Sequence, residues 1–185
     1  WRTELEAISP ERLVFLDESA VLTNMVRTHA RSLKGTRAYG TIPCSQWTRL
    51  TVLGALGTEG ILAAMSIEAA TDAAVFRAFL AHVLLPALRQ HKPDAVLVMD
   101  NLSAHKAKAV RELLDRSKFS YRYLPSYSPD LNPIEPAWAK TKSRLREVAA
   151  RTADALHEAL GPALDAITSQ DAQGFFRHAG YARPN

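Results

Sequence analysis

Two short apolar runs each lead straight into an aspartate, and a proline-punctuated acidic segment follows them. Leu13-Val14-Phe15-Leu16 runs into Asp17, and Ala95-Val96-Leu97-Val98-Met99 runs into Asp100. The third piece is Ser128-Pro129-Asp130-Leu131-Asn132-Pro133-Ile134-Glu135-Pro136-Ala137-Trp138. An unpaired charge taken out of water costs several kcal/mol, so a buried strand finishes on a carboxylate only where something cationic waits for it. Three carboxylates delivered in this way point to a metal site.

The rest of the chain supports an ordinary folded domain. Its 185 residues suffice for one domain with a substantial core. Apolar residues at 47% and charged residues at 23% are globular values that indicate neither disorder nor a membrane class. The most apolar stretch, Val75 to Leu88, is interrupted by Arg77 and His82 and reads as a core helix. The chain begins at Trp1 with no signal peptide, and the expectation is a piece of something longer. The single cysteine, Cys44, leaves no internal disulfide or cysteine zinc site, which favours a reducing compartment. A net charge of +4 is compatible with a polyanionic partner without requiring one.

Periodicity gives the order of elements. Leu13 to Leu16 is a strand, and about 30 polar residues after it, carrying Arg27, Arg31, Lys34 and Arg37, form a surface excursion or irregular hairpin. Thr48 to Leu56 and Gly60 to Ile67 form a hairpin around Gly57-Thr58-Glu59-Gly60. Thr71 is the expected N-cap of a helix through Val75, Phe76, Phe79, Leu80, Val83, Leu84 and Leu88, which Pro86 should kink or end. Ala95 to Met99 reads as a central strand, Lys106 to Arg116 as a short helix and Tyr121 to Leu124 as the last strand. Pro133 and Pro136 suit the first turn of a helix running to about Ala150. Thr152 caps a further helix that Gly161-Pro162 interrupts, and a short helix around Gln170 to Arg177 closes the chain. Pattern alone gives an α/β or α+β domain with a mixed sheet.

The ordered motifs resemble the catalytic domain of the mariner-superfamily DDE transposases, of the bacterial insertion-sequence type. The matching residues are Phe15-Leu16-Asp17-Glu18-Ser19, then Met99-Asp100-Asn101 with His105, then Ser128 to Glu135 with Trp138 and Lys142. Asp100 and Glu135 lie 35 positions apart. The resemblance implies a ribonuclease H-like fold, a mixed five-stranded sheet flanked by helices, occupying residues 1–185 as a single catalytic domain. It further implies that Asp17, Asp100 and Glu135 are the catalytic and metal-binding residues. The implied reaction is metal-dependent hydrolysis at element ends followed by strand transfer into target DNA. Two divalent ions roughly 3.5–4 Å apart would serve that reaction, Mg²⁺ with Mn²⁺ as substitute, and hard cations of this kind take oxygen ligands and keep several waters.

Two other carboxylates compete for the same site. Glu18 neighbours Asp17, and alternation along a strand lets only one of them face the metals, for which the motif selects Asp17. Asp130 competes with Glu135 but reads as a turn residue capping backbone donors. Asn101 and His105 either orient the DNA backbone or a nearby water, or bond locally as a loop asparagine and a helix-terminal histidine. Lys142 and Arg146 fall about 20° to either side of Glu135 around the helix, where a phosphate backbone could pass. They, with Asn101, His105 and the loop residues Arg31, Lys34 and Arg37, are the candidate DNA contacts. Concerted action on two ends makes a homodimer the expected assembly. The family's N-terminal helix-turn-helix region has no counterpart before Leu13, and the expected location is the bacterial cytoplasm, at the nucleoid. The alternatives of another class are a non-catalytic DNA- or partner-binding descendant and a host nuclease of the same fold.

Overall fold

The fold is described from a computed structural model, which covers residue 5, residues 8–44 and residues 47–181. Its sheet has five strands: β1 (Leu13–Leu22), β2 (Arg49–Gly57), β3 (Gly60–Ile67), β4 (Val96–Met99) and β5 (Ser120–Tyr123). They lie in the order β3-β2-β1-β4-β5. The β3-β2-β1 half is antiparallel, whereas β4 and β5 run parallel to β1. This is the mixed sheet of the ribonuclease H-like fold. The β2–β3 connection is the expected tight hairpin, with Gly57 paired to Gly60. Gly60 has a φ of 127° and a Cβ there would stand 2.8 Å from the Ile167 carbonyl, so a side chain is excluded twice over.

Helices cover both faces, as the parallel half requires. On one face lie α1 (Ala73–Phe79), a π-helical turn (Leu80–Leu84), α2 (Leu85–His91) and α3 (Lys108–Ser117). Phe76, Phe79, Leu80, Leu84, Val110 and Leu114 from these helices bury Val14, Leu16, Leu97 and Met99. On the other face α4 (Ile134–Val148), α5 (Ala153–Asp165) and α6 (Ser169–His178) pack Trp138, Leu145, Leu156, Leu160 and Phe176 over Phe15, Val52 and Val98. Phe15 meets Phe176 edge to face at 5.4 Å and Tyr181 at 4.8 Å. The Tyr181 hydroxyl then donates to the Leu131 carbonyl at 2.6 Å, tying the end of the described chain to the turn before α4.

Four local expectations need correction. β1 does not stop at Asp17 but continues to Leu22, because β2 keeps pairing with it from Asp17↔Gly54 to Leu22↔Arg49. The cap of α1 is Asp72, whose carboxylate accepts the Val75 N–H at 2.8 Å, while the Thr71 hydroxyl is buried without a partner. Pro86 neither ends nor breaks its helical run. The chain widens into the π-turn just before it, an adjustment that absorbs a missing backbone donor. Pro162 likewise lies inside α5, which runs on to Asp165. The excursion between β1 and β2 has no helix or strand among its described residues, and Leu33, Tyr39 and Ile42 stand exposed along it.

Candidate active site

The parallel pairing of β1 with β4 ends at Leu16↔Met99, while β1 runs on beside β2 alone. Asp17 and Asp100 are the next residues on their strands, so both carboxylates arrive where the sheet opens. Alternation decides which face Asp17 takes. Phe15 faces α4–α6, and Asp17, two residues further along β1, follows it to that side, while Asp100, just past the end of β4, lines the same cleft. Glu135 sits in the first turn of α4 on the same side. All three line one cleft of about 540 Å³, together with Asn101, Leu102, the segment Leu124 to Pro129, and Asn132.

The helix that brings Glu135 is seated by Trp138, one turn further on. Its indole lies against Gly54, the β2 partner of Asp17. A Cβ at position 54 would stand 2.6 Å from Cη2, so only glycine admits this approach. Sequence reading passed over Gly54, although an isolated glycine within an apolar strand signals a close neighbour. Tyr127 was also missed. It stands fully exposed at the cleft wall with a φ of 56°, a left-handed conformation that is uncommon outside glycine.

The electrostatics reflect burial first and crowding second. Burial, and after it the charge of Glu135, push the Asp17 carboxyl up to about 7, with Glu18 and Asp100 adding to the rise. The Glu18 backbone N–H, donating to Asp17 Oδ1 at 2.8 Å, opposes it. For Asp100 burial also acts upward, but the His105 contact and the Leu102 N–H, which donates to Oδ1 at 2.9 Å, outweigh it and hold the carboxyl below the usual range. Asn101 donates its side-chain amide to the Leu124 carbonyl, bracing one wall of the cleft against the other.

His105 is not a surface residue and cannot touch DNA as expected, because its side chain is fully buried. Its ring lies on Phe76, centroid to centroid 4.0 Å. Nδ1 stands 2.6 Å from Asp100 Oδ1, and Nε2 stands 3.0 Å from Glu18 Oε2. Burial lowers the basicity of this ring, yet the two carboxylates more than reverse that and raise it to about 9. Glu18 therefore points away from the cleft on the opposite side of β1 from Asp17, engaged with a histidine.

The other candidates are scattered. Asp130 is exposed in the 3-10 turn Pro129–Leu131 and, among the described residues, caps no backbone donor, contrary to expectation. Lys142 and Arg146 are half-buried on α4 and line no part of the cleft. Arg146 instead shares a shallow depression with Arg27, Thr28, His29, Ser143 and Glu147. Arg31, Lys34 and Arg37 are exposed along the excursion. Lys140 is committed to Asp171 at 2.5 Å, joining α4 to α6.

The donor set fits hard divalent cations: the cleft offers carboxylate oxygens and no thiolate or free imidazole. Burial, and after it the neighbouring carboxylates, disfavour the charge on Asp17, and a cation there would offset both. Among the described residues, however, no three His, Cys, Asp or Glu side chains already stand close enough to hold one ion together.

Residues 12–157 match the family model described as DDE superfamily endonuclease. No curated protein matches the chain. Among solved structures, the chain is similar to the Mos1 transposase paired-end complex with left transposon end, at 19% identity and a TM-score of 0.78, covering 96% of this chain and 55% of that one. The Mos1 mariner paired-end complex with Mn gives the same four values. The Mos1 transposase catalytic domain with Raltegravir and Mg matches at 17% identity and a TM-score of 0.73, over 96% of this chain and 83% of that one. The chain thus spans about half the length of the chains in the paired-end complexes, and at these identities the likeness is one of fold.

Proposed function

This chain belongs to the DDE superfamily endonucleases, and we propose that it is the catalytic domain of a DNA transposase whose Asp17, Asp100 and Glu135 form the acidic triad. The observation that carries this reading is the meeting of those three carboxylates, from β1, the end of β4 and the first turn of α4, in one cleft. The similar structures contain transposon ends, Mn and Mg, and the same classes of ligand are proposed here.

Asp17, Asp100 and Glu135 would together hold the divalent ions, and Asp17 feels the charge of both of the other carboxylates. Such ions supply activation of the attacking water and stabilisation of the leaving oxyanion. The chain's own contribution is orientation. Backbone N–H groups fix one oxygen each of Asp17 and Asp100. The Trp138–Gly54 contact fixes the start of α4, and the Asn101–Leu124 bond holds the far wall. In-line attack on a phosphodiester, first by water and then by the freed 3′-hydroxyl, requires no covalent link to the protein. Action on two element ends implies a homodimer.

A second reading, a non-catalytic DNA-binding descendant, has one observation in its favour, the absence of a preassembled three-ligand group among the described residues. Activity separates the two. The expected result is Mn²⁺-dependent nicking of supercoiled plasmid and joining of a 3′-hydroxyl oligonucleotide to it, each lowered at least about a hundredfold in Asp17→Asn, Asp100→Asn and Glu135→Gln. DNA retention with no metal-dependent cleavage by the parent would favour the second reading.

A further inference from the structure

Resting on the cation-binding reading of the cleft, we propose that His105 is a positioning residue which, braced by Glu18, commits one oxygen of Asp100 to the protein and leaves the other to the metal. Glu18 follows Asp17 on β1 but faces the opposite side of the sheet, where His105 lies beneath α1. The imidazole spans from Glu18 Oε2, 3.0 Å from Nε2, to Asp100 Oδ1, 2.6 Å from Nδ1. A loop therefore closes from Asp17 through the backbone to Glu18, across His105 and on to Asp100. It links β1 to the end of β4 just past the last Leu16↔Met99 pair, where ladder hydrogen bonds no longer do so.

The ring is itself immobilised. It is fully buried and lies on Phe76, and the backbone carbonyl of His105 accepts the Tyr123 hydroxyl at 3.1 Å. Asp100 Oδ1 accepts the Leu102 N–H and lies in close ion-pair contact with Nδ1, which meets it outside hydrogen-bonding geometry, whereas no hydrogen bond reaches Oδ2 among the described residues. Asp100 is thereby set to bind through Oδ2. Outer groups that orient a ligand typically account for 10- to 100-fold in metal affinity.

The test measures Mn²⁺ affinity by titration calorimetry, with melting temperatures taken in EDTA. Parent protein should bind Mn²⁺ and Asp100→Asn should not; failure there removes the cation-site reading itself. With that established, His105→Asn keeps a donor at the Nδ1 position and should hold affinity within about threefold, whereas His105→Leu should lose about tenfold or more. Stability should run the other way, because leucine refills the apolar site on Phe76 and asparagine does not. A merely structural histidine would make affinity follow stability, and equal affinities in the parent and a folded His105→Leu would overturn the proposal. If His105→Leu does not fold, Glu18→Ala takes its place: releasing the ring should weaken Mn²⁺ binding at least about threefold, and parental affinity would overturn the proposal equally.

Discussion

The Trp138 indole lies on Gly54 so closely that a Cβ there would stand 2.6 Å from Cη2. Gly54 is paired across the sheet with Asp17, and Trp138 follows Glu135 by one helical turn. The distance between two proposed ligands is therefore set by a contact that contains neither of them. Gly54→Ala should destabilise by about 1–3 kcal/mol through overpacking and weaken Mn²⁺ binding as α4 is pushed outward. Urea denaturation and calorimetry check both, and an unchanged midpoint would mean that the indole moves aside freely.

The two raised pKa values give the metal-free protein a directional pH dependence. Asp17 holds its proton in the folded state up to about 7 and in the unfolded chain only to about 4. The native state binds the extra proton between those values, so stability falls as pH rises from about 4 to 7 and then levels. His105, raised to about 9, contributes stability that is complete below its ordinary value near 6.5 and is lost as pH rises from there to about 9. Asp17→Asn should flatten the lower window and His105→Leu the upper one, as read from melting temperatures in EDTA. Saturating Mg²⁺ should raise stability most above pH 7, where it no longer competes with the Asp17 proton.

Basic residues along α4 test the course of the DNA. Lys142→Ala and Arg146→Ala should each weaken binding across sequences and reduce the salt slope by roughly one phosphate contact. Arg27→Ala should resemble Arg146→Ala, because the two arginines line the same depression. Affinity and slope unchanged in all three would move the expected path to Arg31, Lys34 and Arg37 on the excursion.

The N-terminus of α1 separates two adjacent residues. Asp72→Ala removes the bond to the Val75 N–H and should cost about 1 kcal/mol. Thr71→Val replaces a buried hydroxyl that has no partner, and should be neutral or slightly stabilising. Chemical denaturation of both variants checks the pair; a larger loss at Thr71 would return the cap to that residue.

Sequence by itself located the five strands, because a run of strand-forming residues is a property of near neighbours. It put Asp17 and Glu18 on opposite faces, and it started a helix at Pro133-Ile134-Glu135, since proline suits a first turn. It did not determine where β1 ends, because the strand persists past Asp17 only through hydrogen bonds to β2. Nor did it reveal the fate of Pro86 and Pro162, which depend on packing that keeps their helices together. His105 shows the difference most plainly. As a residue near a helix start it read equally well as a DNA contact, yet its partner Glu18 lies 87 positions away and is met only when β1 and β4 pair. Tertiary structure decided that role, because a buried imidazole takes its function from the carboxylates that folding brings to its two nitrogens.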